Sequence, residues 1–177
     1  MSMMEGDSNM KKRFWFLAGV VSVVLAIQVK NAVFIDYKVE GVSMNPTFQE
    51  GNELLVNKFS HRFKTIHRFD IVLFKGPDHK VLIKRVIGLP GETIKYKDDQ
   101  LYVNGKQVAE PFLKHLKSVS AGSHVTGDFS LKDVTGTSKV PKGKYFVVGD
   151  NRIYSFDSRH FGPIREKNIV GVISDAE

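Results

Sequence analysis

Apolar positions along the chain fall into one long block and then a series of short ones. Phe14 to Val29 is a run of 16 residues without a charge, preceded by Lys11, Lys12 and Arg13, and only Lys30 separates it from Ala32, Val33 and Phe34. A helix over that run rises about 24 Å, short of a ~30 Å hydrocarbon core, whereas one that lets Lys30 snorkel and continues to Phe34 just spans it. Apart from Ser22 and Gln28 the block has no polar stripe, which argues against the core helix of a soluble protein. Gln28 to Asn31 interrupt the small-residue cleavage site that a removable leader would show. The pattern predicts an uncleaved transmembrane anchor over 14–34. By the charge rule for membrane insertion, 1–13 then stays cytoplasmic and 35–177 lies on the far side.

Beyond the anchor the period shortens to two. Val33–Val42, Glu53–Phe59, Asp70–Phe74, Val81–Ile87, Thr93–Tyr96, Gln100–Val103, Lys144–Val148 and Asn168–Ile173 are short runs rich in Val, Ile, Phe and Tyr, punctuated by Gly, Pro and Asp. They predict an all-β fold of mainly antiparallel sheets following one N-terminal helix. Asp98-Asp99 and Asn104-Gly105 are tight-turn signals, so Ile94 to Lys106 reads as a meander of hairpins. From about 105, and most clearly between Glu110 and Pro141, the chain turns polar with weak periodicity, which predicts a variable insertion.

Composition narrows the chemistry. The chain has 177 residues, a formal net charge of +7 and no cysteine, so a disulfide framework, a thiol nucleophile and a cysteine-ligated zinc are excluded. The positive excess suits nucleic acid or an anionic lipid surface, and the basic cluster beside the apolar block favours lipid. The six histidines (His61, His67, His79, His115, His124, His160) show no metal-ligand spacing, and Gly143-Lys144 lacks the rest of a phosphate-binding loop. The expectation is no metal, no cofactor and no nucleic acid.

Four segments carry candidate chemistry. In Val39-Glu40-Gly41-Val42-Ser43-Met44-Asn45-Pro46-Thr47 a serine stands between a strand and a proline turn. It is either a turn residue or a hydroxyl presented outward, beside backbone N–H groups able to meet an oxyanion. Asp70 to Phe74 is a strand, and in Val81 to Glu92 the alternation places Lys84 with Leu82 and Val86, and Arg85 with Ile83 and Ile87. Lys84 is either a snorkelling lysine on an edge strand or a desolvated amine able to act as a base. Gly149 to Gly162 is a loop crowded with hydrogen-bonding groups, including Asp150, Ser155, Asp157 and Arg159. It is either solvated or the scaffold of a site.

In this order, V-E-G-V-S-M-N-P-T, R-F-D-I-V-L-F, K-R-V-I-G-L-P-G-E and G-D-N-R-I-Y-S-F-D-S-R-H-F-G resemble the type I signal peptidases, in their shorter Gram-positive branch. The resemblance implies a membrane-anchored serine endopeptidase with a partly open barrel-like β fold shared with the self-cleaving SOS repressors. Its partners would be signal-peptide-bearing preproteins and the lipids of the cytoplasmic membrane. It implies Ser43 as nucleophile, Lys84 as general base and Ser155 as orienter of the amine, with Arg85, Asp150, Asp157 and Arg159 as supporting ion pairs. The Ser43 N–H would serve the oxyanion hole. Gly41 stands where other branches carry a second, hydroxyl donor, and Phe69 stands before Asp70, where glycine is frequent; that second change is expected to be harmless. Val39, Met44, Leu82 and Ile83 are the implied walls of shallow pockets for small, Ala-like residues at positions one and three before the cut. A self-cleaving SOS-repressor-like protease and a non-catalytic anchored binding module are the alternatives.

Overall fold

The computed structural model describes residues 3–58, 65–114 and 125–173, which fall into two compact units, Met1–Ile35 and Asp36–Glu177. His61, His115, His124 and the end of the Glu53–Phe59 run lie outside the described residues. The first unit is helix α1 (Met3–Val33). Its stretch Lys12–Val33 is 22 residues long and apolar enough to cross a membrane, and none of its residues is buried. Continuing through Lys30, the helix reaches about 33 Å, enough for the hydrocarbon core. The Ser22 hydroxyl donates to the Ala18 carbonyl (2.8 Å), which satisfies a polar group on an otherwise apolar face.

The second unit is built on a five-stranded antiparallel sheet of order β10-β9-β4-β3-β11. Its strands are β3 (Ile71–Lys75), β4 (Val81–Gly88), β9 (Lys144–Val148), β10 (Ile164–Arg165) and β11 (Ile169–Ile173). A four-stranded sheet, β7-β6-β5-β8, comprises β5 (Ile94–Lys97), β6 (Gln100–Val103), β7 (Lys106–Val108) and β8 (Phe129–Ser130). A two-stranded ladder joins β1 (Phe34–Lys38) to β2 (Glu53–Asn57). None of these sheets closes on itself as a barrel.

Strand alternation in β4 and β9 builds two cores, one on each face of the large sheet. Val86 and Val147 join Val72, Phe74 and Ile164 on one side. On the other, Ile87, Phe146 and Val148 pack with Ile94, Tyr96 and Leu101 of the second sheet. β4 is central in the sheet, although its first half, Val81–Lys84, pairs only with β3; the snorkelling reading of Lys84 fails because the side chain is 3% exposed.

One further expectation is corrected. The strand drawn over Val33–Val42 ends at Lys38, because Val39 already bonds back to the turn at Gly51 and Asn52 and the chain folds over to present Ser43. The described part of the stretch read as a variable insertion carries ordered elements: β7, β8, a short helix α2 (Leu131–Thr135) with a Ser130/Asp133 capping box, and the buried residues Leu113, Val125, Leu131 and Val140. Phe69 adopts φ +77°, so the conformation glycine takes freely is imposed here on an aromatic residue, at about 1–2 kcal/mol. Its carbonyl accepts from Arg85 Nη1 (2.9 Å) and its ring packs edge-on against Phe112, contacts that hold the strained backbone in place.

Candidate active site

Ser43 sits in the turn between β1 and β2, where no ladder fixes the backbone, so its position has to come from elsewhere. Met44 beside it is buried and anchors the turn from below. From above, Asn151 grips it twice: its N–H donates to the Ser43 carbonyl (3.0 Å) and its side-chain amide to the Val42 carbonyl (3.1 Å). Thr47, at the end of the same turn, donates its hydroxyl to Asp150 Oδ2. The Ser43 N–H makes no hydrogen bond among the described residues, which leaves it available to a ligand. Gly41 has φ +72° with open space around the missing side chain, so a hydroxyl residue here would be strained rather than crowded.

Lys84 reaches this turn from the middle of β4. It is 3% exposed, and its Nζ donates to Ser43 Oγ at 2.7 Å and to the Ile83 carbonyl at 2.9 Å. Burial lowers its pKa from 10.5 to about 8, against the opposing pull of Asp157 and Asp150. Roughly one-tenth of such an amine is neutral at pH 7, compared with less than a thousandth for a free lysine.

The loop after β9 frames the pair. Asp150 is fully buried and bidentate with Arg85, Nε to Oδ1 at 2.9 Å and Nη2 to Oδ2 at 2.7 Å. Asp157, also fully buried, accepts from Arg159 Nε (2.9 Å), Arg159 Nη2 (2.8 Å) and the Gly149 N–H (3.1 Å), and caps helix α3 (Ser158–Phe161). Burial alone would raise its pKa, but the bonds and charge of Arg159 and the Gly149 N–H hold it below the usual carboxylate range. Gly149 is obligatory for a steric reason: a Cβ there would run into Ser155 Oγ and the Ser43 carbonyl. Ser155 is buried in this corner; its hydroxyl lies close enough to Asp157 to help lower that carboxyl, but it meets hydrogen-bond geometry with neither Lys84 nor any other described group.

Of the implied pocket residues, Val39, Met44 and Ile83 are almost wholly buried and Leu82 is partly exposed. Beside them β4 outruns its neighbour: Val81–Lys84 pair with β3 on one side, while the ladder to β9 begins only at Arg85. Sequence reading missed Thr47, Asn151 and Arg152, although all three stand inside the quoted segments, because their partners lie on distant parts of the chain. Among the described residues no group of His, Asp and Glu is placed to hold a metal ion.

A hydroxyl hydrogen-bonded to a buried amine of lowered pKa, beside a backbone N–H without a partner among the described residues and an open strand edge, is equipment for hydrolysing an acyl bond; the class is a hydrolytic enzyme on a β scaffold. The signal peptidase, peptidase S26 family matches residues 12–174, and the chain belongs to it. It is an enzyme of the signal peptidase I type with a membrane-anchoring helix. Signal peptidase I of Bacillus caldolyticus is 50% identical over 159 residues, covering 90% of this chain and 85% of that protein. Signal peptidase I T of Bacillus subtilis (strain 168) is 48% identical over 161 residues, 89% of this chain and 80% of that one. The crystal structure of a signal peptidase I from Enterococcus faecalis V583 superposes with a TM-score of 0.60 at 44% identity, over 63% of this chain and 98% of the other.

Proposed function

We propose that this protein removes N-terminal signal peptides from exported preproteins with Ser43 as nucleophile and Lys84 as general base. The observation that carries the assignment is the 2.7 Å contact between Lys84 Nζ and Ser43 Oγ in a site from which Lys84 is withdrawn from water. The preprotein lies extended along Val81–Lys84, adding a strand where β9 leaves the edge open, with main-chain bonds that do not depend on side chains. Small residues before the cut fit because Val39, Met44, Leu82 and Ile83 leave little depth, and a shallow floor rejects bulk by clash.

Neutral Lys84 takes the Ser43 proton as Oγ attacks the scissile carbonyl carbon. The Ser43 N–H donates to the oxyanion, and the tetrahedral adduct collapses as the Lys84 ammonium returns the proton to the leaving amine. Lys84 then draws a proton from water, whose oxygen attacks the acyl-Ser43 ester; the ammonium returns that proton to Ser43 Oγ as the ester bond breaks, and the acid product ionises to its carboxylate. Arg85, Asp150, Asp157 and Arg159 hold the walls. Ser155 shapes the corner by filling the space that Gly149 leaves, rather than by bonding the amine in the resting state.

Residues 1–13 lie in the cytoplasm, the helix crosses among the lipids of the cytoplasmic membrane, and the catalytic unit works on its outer face, in accord with Lys12 and Arg13 at the cytoplasmic start of the apolar stretch. Tethering enzyme and preprotein to one membrane raises their effective concentration. The test is cleavage of a secretory precursor by the purified full chain, compared with Ser43→Ala and Lys84→Ala. Both variants are expected to be inactive, and full cleavage by either one refutes the assignment.

A further inference from the structure

Glu110 follows β7 in a stretch whose sequence pattern suggests nothing, yet its carboxylate is buried and paired. Its side chain is 1% exposed, and that of its partner Arg152 is 0%. Arg152 belongs to the loop between Asp150 and Ser155, and its guanidinium spends its donors in several directions. Nη2 and Nη1 donate to the Glu110 carboxylate. Nη1 also donates to Tyr96 Oη and to Thr126 Oγ1, both at 3.0 Å, and Nε donates to the Gly149 carbonyl at 3.2 Å. Tyr96 Oη in turn donates to Glu110 Oε1 at 2.6 Å. The Arg152 backbone is held as well: its N–H donates to the Asp150 carbonyl (3.0 Å) and its carbonyl accepts from Arg159 Nη2 (2.7 Å).

Tyr96 lies on β5, Glu110 just past β7 and Thr126 before β8, so all three acceptors come from the second sheet and its margin. The catalytic loop is therefore tied to a sheet that carries neither Ser43 nor Lys84. An ion pair at such depth is a poor source of stability compared with apolar residues of the same volume, but a planar five-donor fork fixes direction as few groups can. What it fixes is the corner at Gly149, where the Ser43 carbonyl, Ser155 and Asp157 converge, and from which Asp150 and Asn151 reach the nucleophile turn.

We propose that Glu110 is a positioning residue for the hydrolysis: through Arg152 it holds the backbone from Gly149 to Ser155 in the register that sets Ser43 against Lys84. This rests on the Ser43/Lys84 reading, and the test separates the two. Precursor cleavage is measured with the full chain in detergent, at a temperature where circular dichroism shows each variant folded, for Glu110→Gln, Glu110→Asp, Arg152→Gln and the Glu110→Gln/Arg152→Gln pair. Glu110→Gln is expected to lower kcat about tenfold or more with KM within about twofold, because misplacement costs the reacting geometry and not substrate binding. Glu110→Asp should recover part of that loss, and the double variant should be no worse than Arg152→Gln alone.

A folded Glu110→Gln with kcat within about twofold of the parent, a loss confined to KM, or additive losses in the double variant would each overturn the proposal. If Glu110→Gln does not fold, Thr126→Val carries the test, since it removes one acceptor of Arg152 without touching a charge. A drop of about threefold in kcat then supports the role and an unchanged kcat ends it. Ser43→Ala runs in parallel: retained cleavage there defeats the dyad by itself, whereas an inert Ser43→Ala beside a fully active Glu110→Gln defeats only the positioning role.

Discussion

Lys84→Met should abolish cleavage and, at neutral pH, stabilise the protein. Lys84 is 3% exposed on the central strand, and burial lowers its pKa from 10.5 to about 8. Between those two values the unfolded chain binds a proton that the folded one has released, so stability rises with pH across that window. Below about pH 8 both states are protonated and the folded state bears the full penalty of a buried cation. At about 1.4 kcal/mol per pH unit, the interval from about 8 to 10.5 corresponds to about 3 kcal/mol. Methionine fills the same volume without charge, but loses the bonds to Ser43 Oγ and the Ile83 carbonyl, roughly 1 kcal/mol each. The net gain expected at pH 7 is about 1 kcal/mol. The assay is denaturant unfolding of the full chain in detergent, parent against variant, at pH 7 and near pH 10.5. Methionine should lead at the lower pH and fall behind at the higher, a swing of about 3 kcal/mol. A difference that does not change with pH, or a variant less stable than the parent at pH 7, would show that the amine is not held against its own desolvation.

The same lowered value sets the kinetics: kcat/KM should rise about tenfold per pH unit up to about 8 and level off above it, as the neutral amine accumulates, and a flat profile over that range refutes an amine base. Gly149→Ala should lose most activity and about 1–3 kcal/mol of stability, because the added carbon meets the Ser43 carbonyl, which is backbone and cannot rotate away. Wild-type kcat and unfolding midpoint in that variant would count against the close corner. Thr47→Val should cost about 1–3 kcal/mol by removing the hydroxyl that donates to buried Asp150, and Thr47→Ser should restore it; equal unfolding midpoints for valine and serine would show that the bond contributes nothing.

The parts of this molecule that could be read from its sequence are those governed by local periodicity. Alternation along Val81 to Ile87 put Val86 and Ile87 on opposite faces, and each joins a different core, because side chains on a strand change faces whatever pairs with it. The turn at Asp98-Asp99 was legible for a similar reason: both residues take positive φ. Asp99 then does something no local rule announces, accepting the N–H groups of Val125, Thr126 and Gly127. Elements too short to repeat a period were invisible. β8 and β10 span two residues each, and α2 and α3 are single turns defined by capping boxes rather than by an apolar stripe.

The site was half legible on the same terms. Ser43 and Lys84 stand in motifs, but the groups that bring them to 2.7 Å act across the chain: Asn151 and Asp150 lie more than a hundred positions from the turn they hold, and Glu110 lies 42 from Arg152. The nucleophile turn has no ladder of its own, so its order has to be imported from the loop after β9, and that loop's order is imported in turn from the second sheet through Arg152. A reaction that needs an uncharged amine cannot place carboxylates directly on it, since each would favour the ammonium. Pairing Asp150 with Arg85 and Asp157 with Arg159 lets buried carboxylates shape the site while arginines offset their charge, so that their remaining pull on Lys84 is outweighed by its burial.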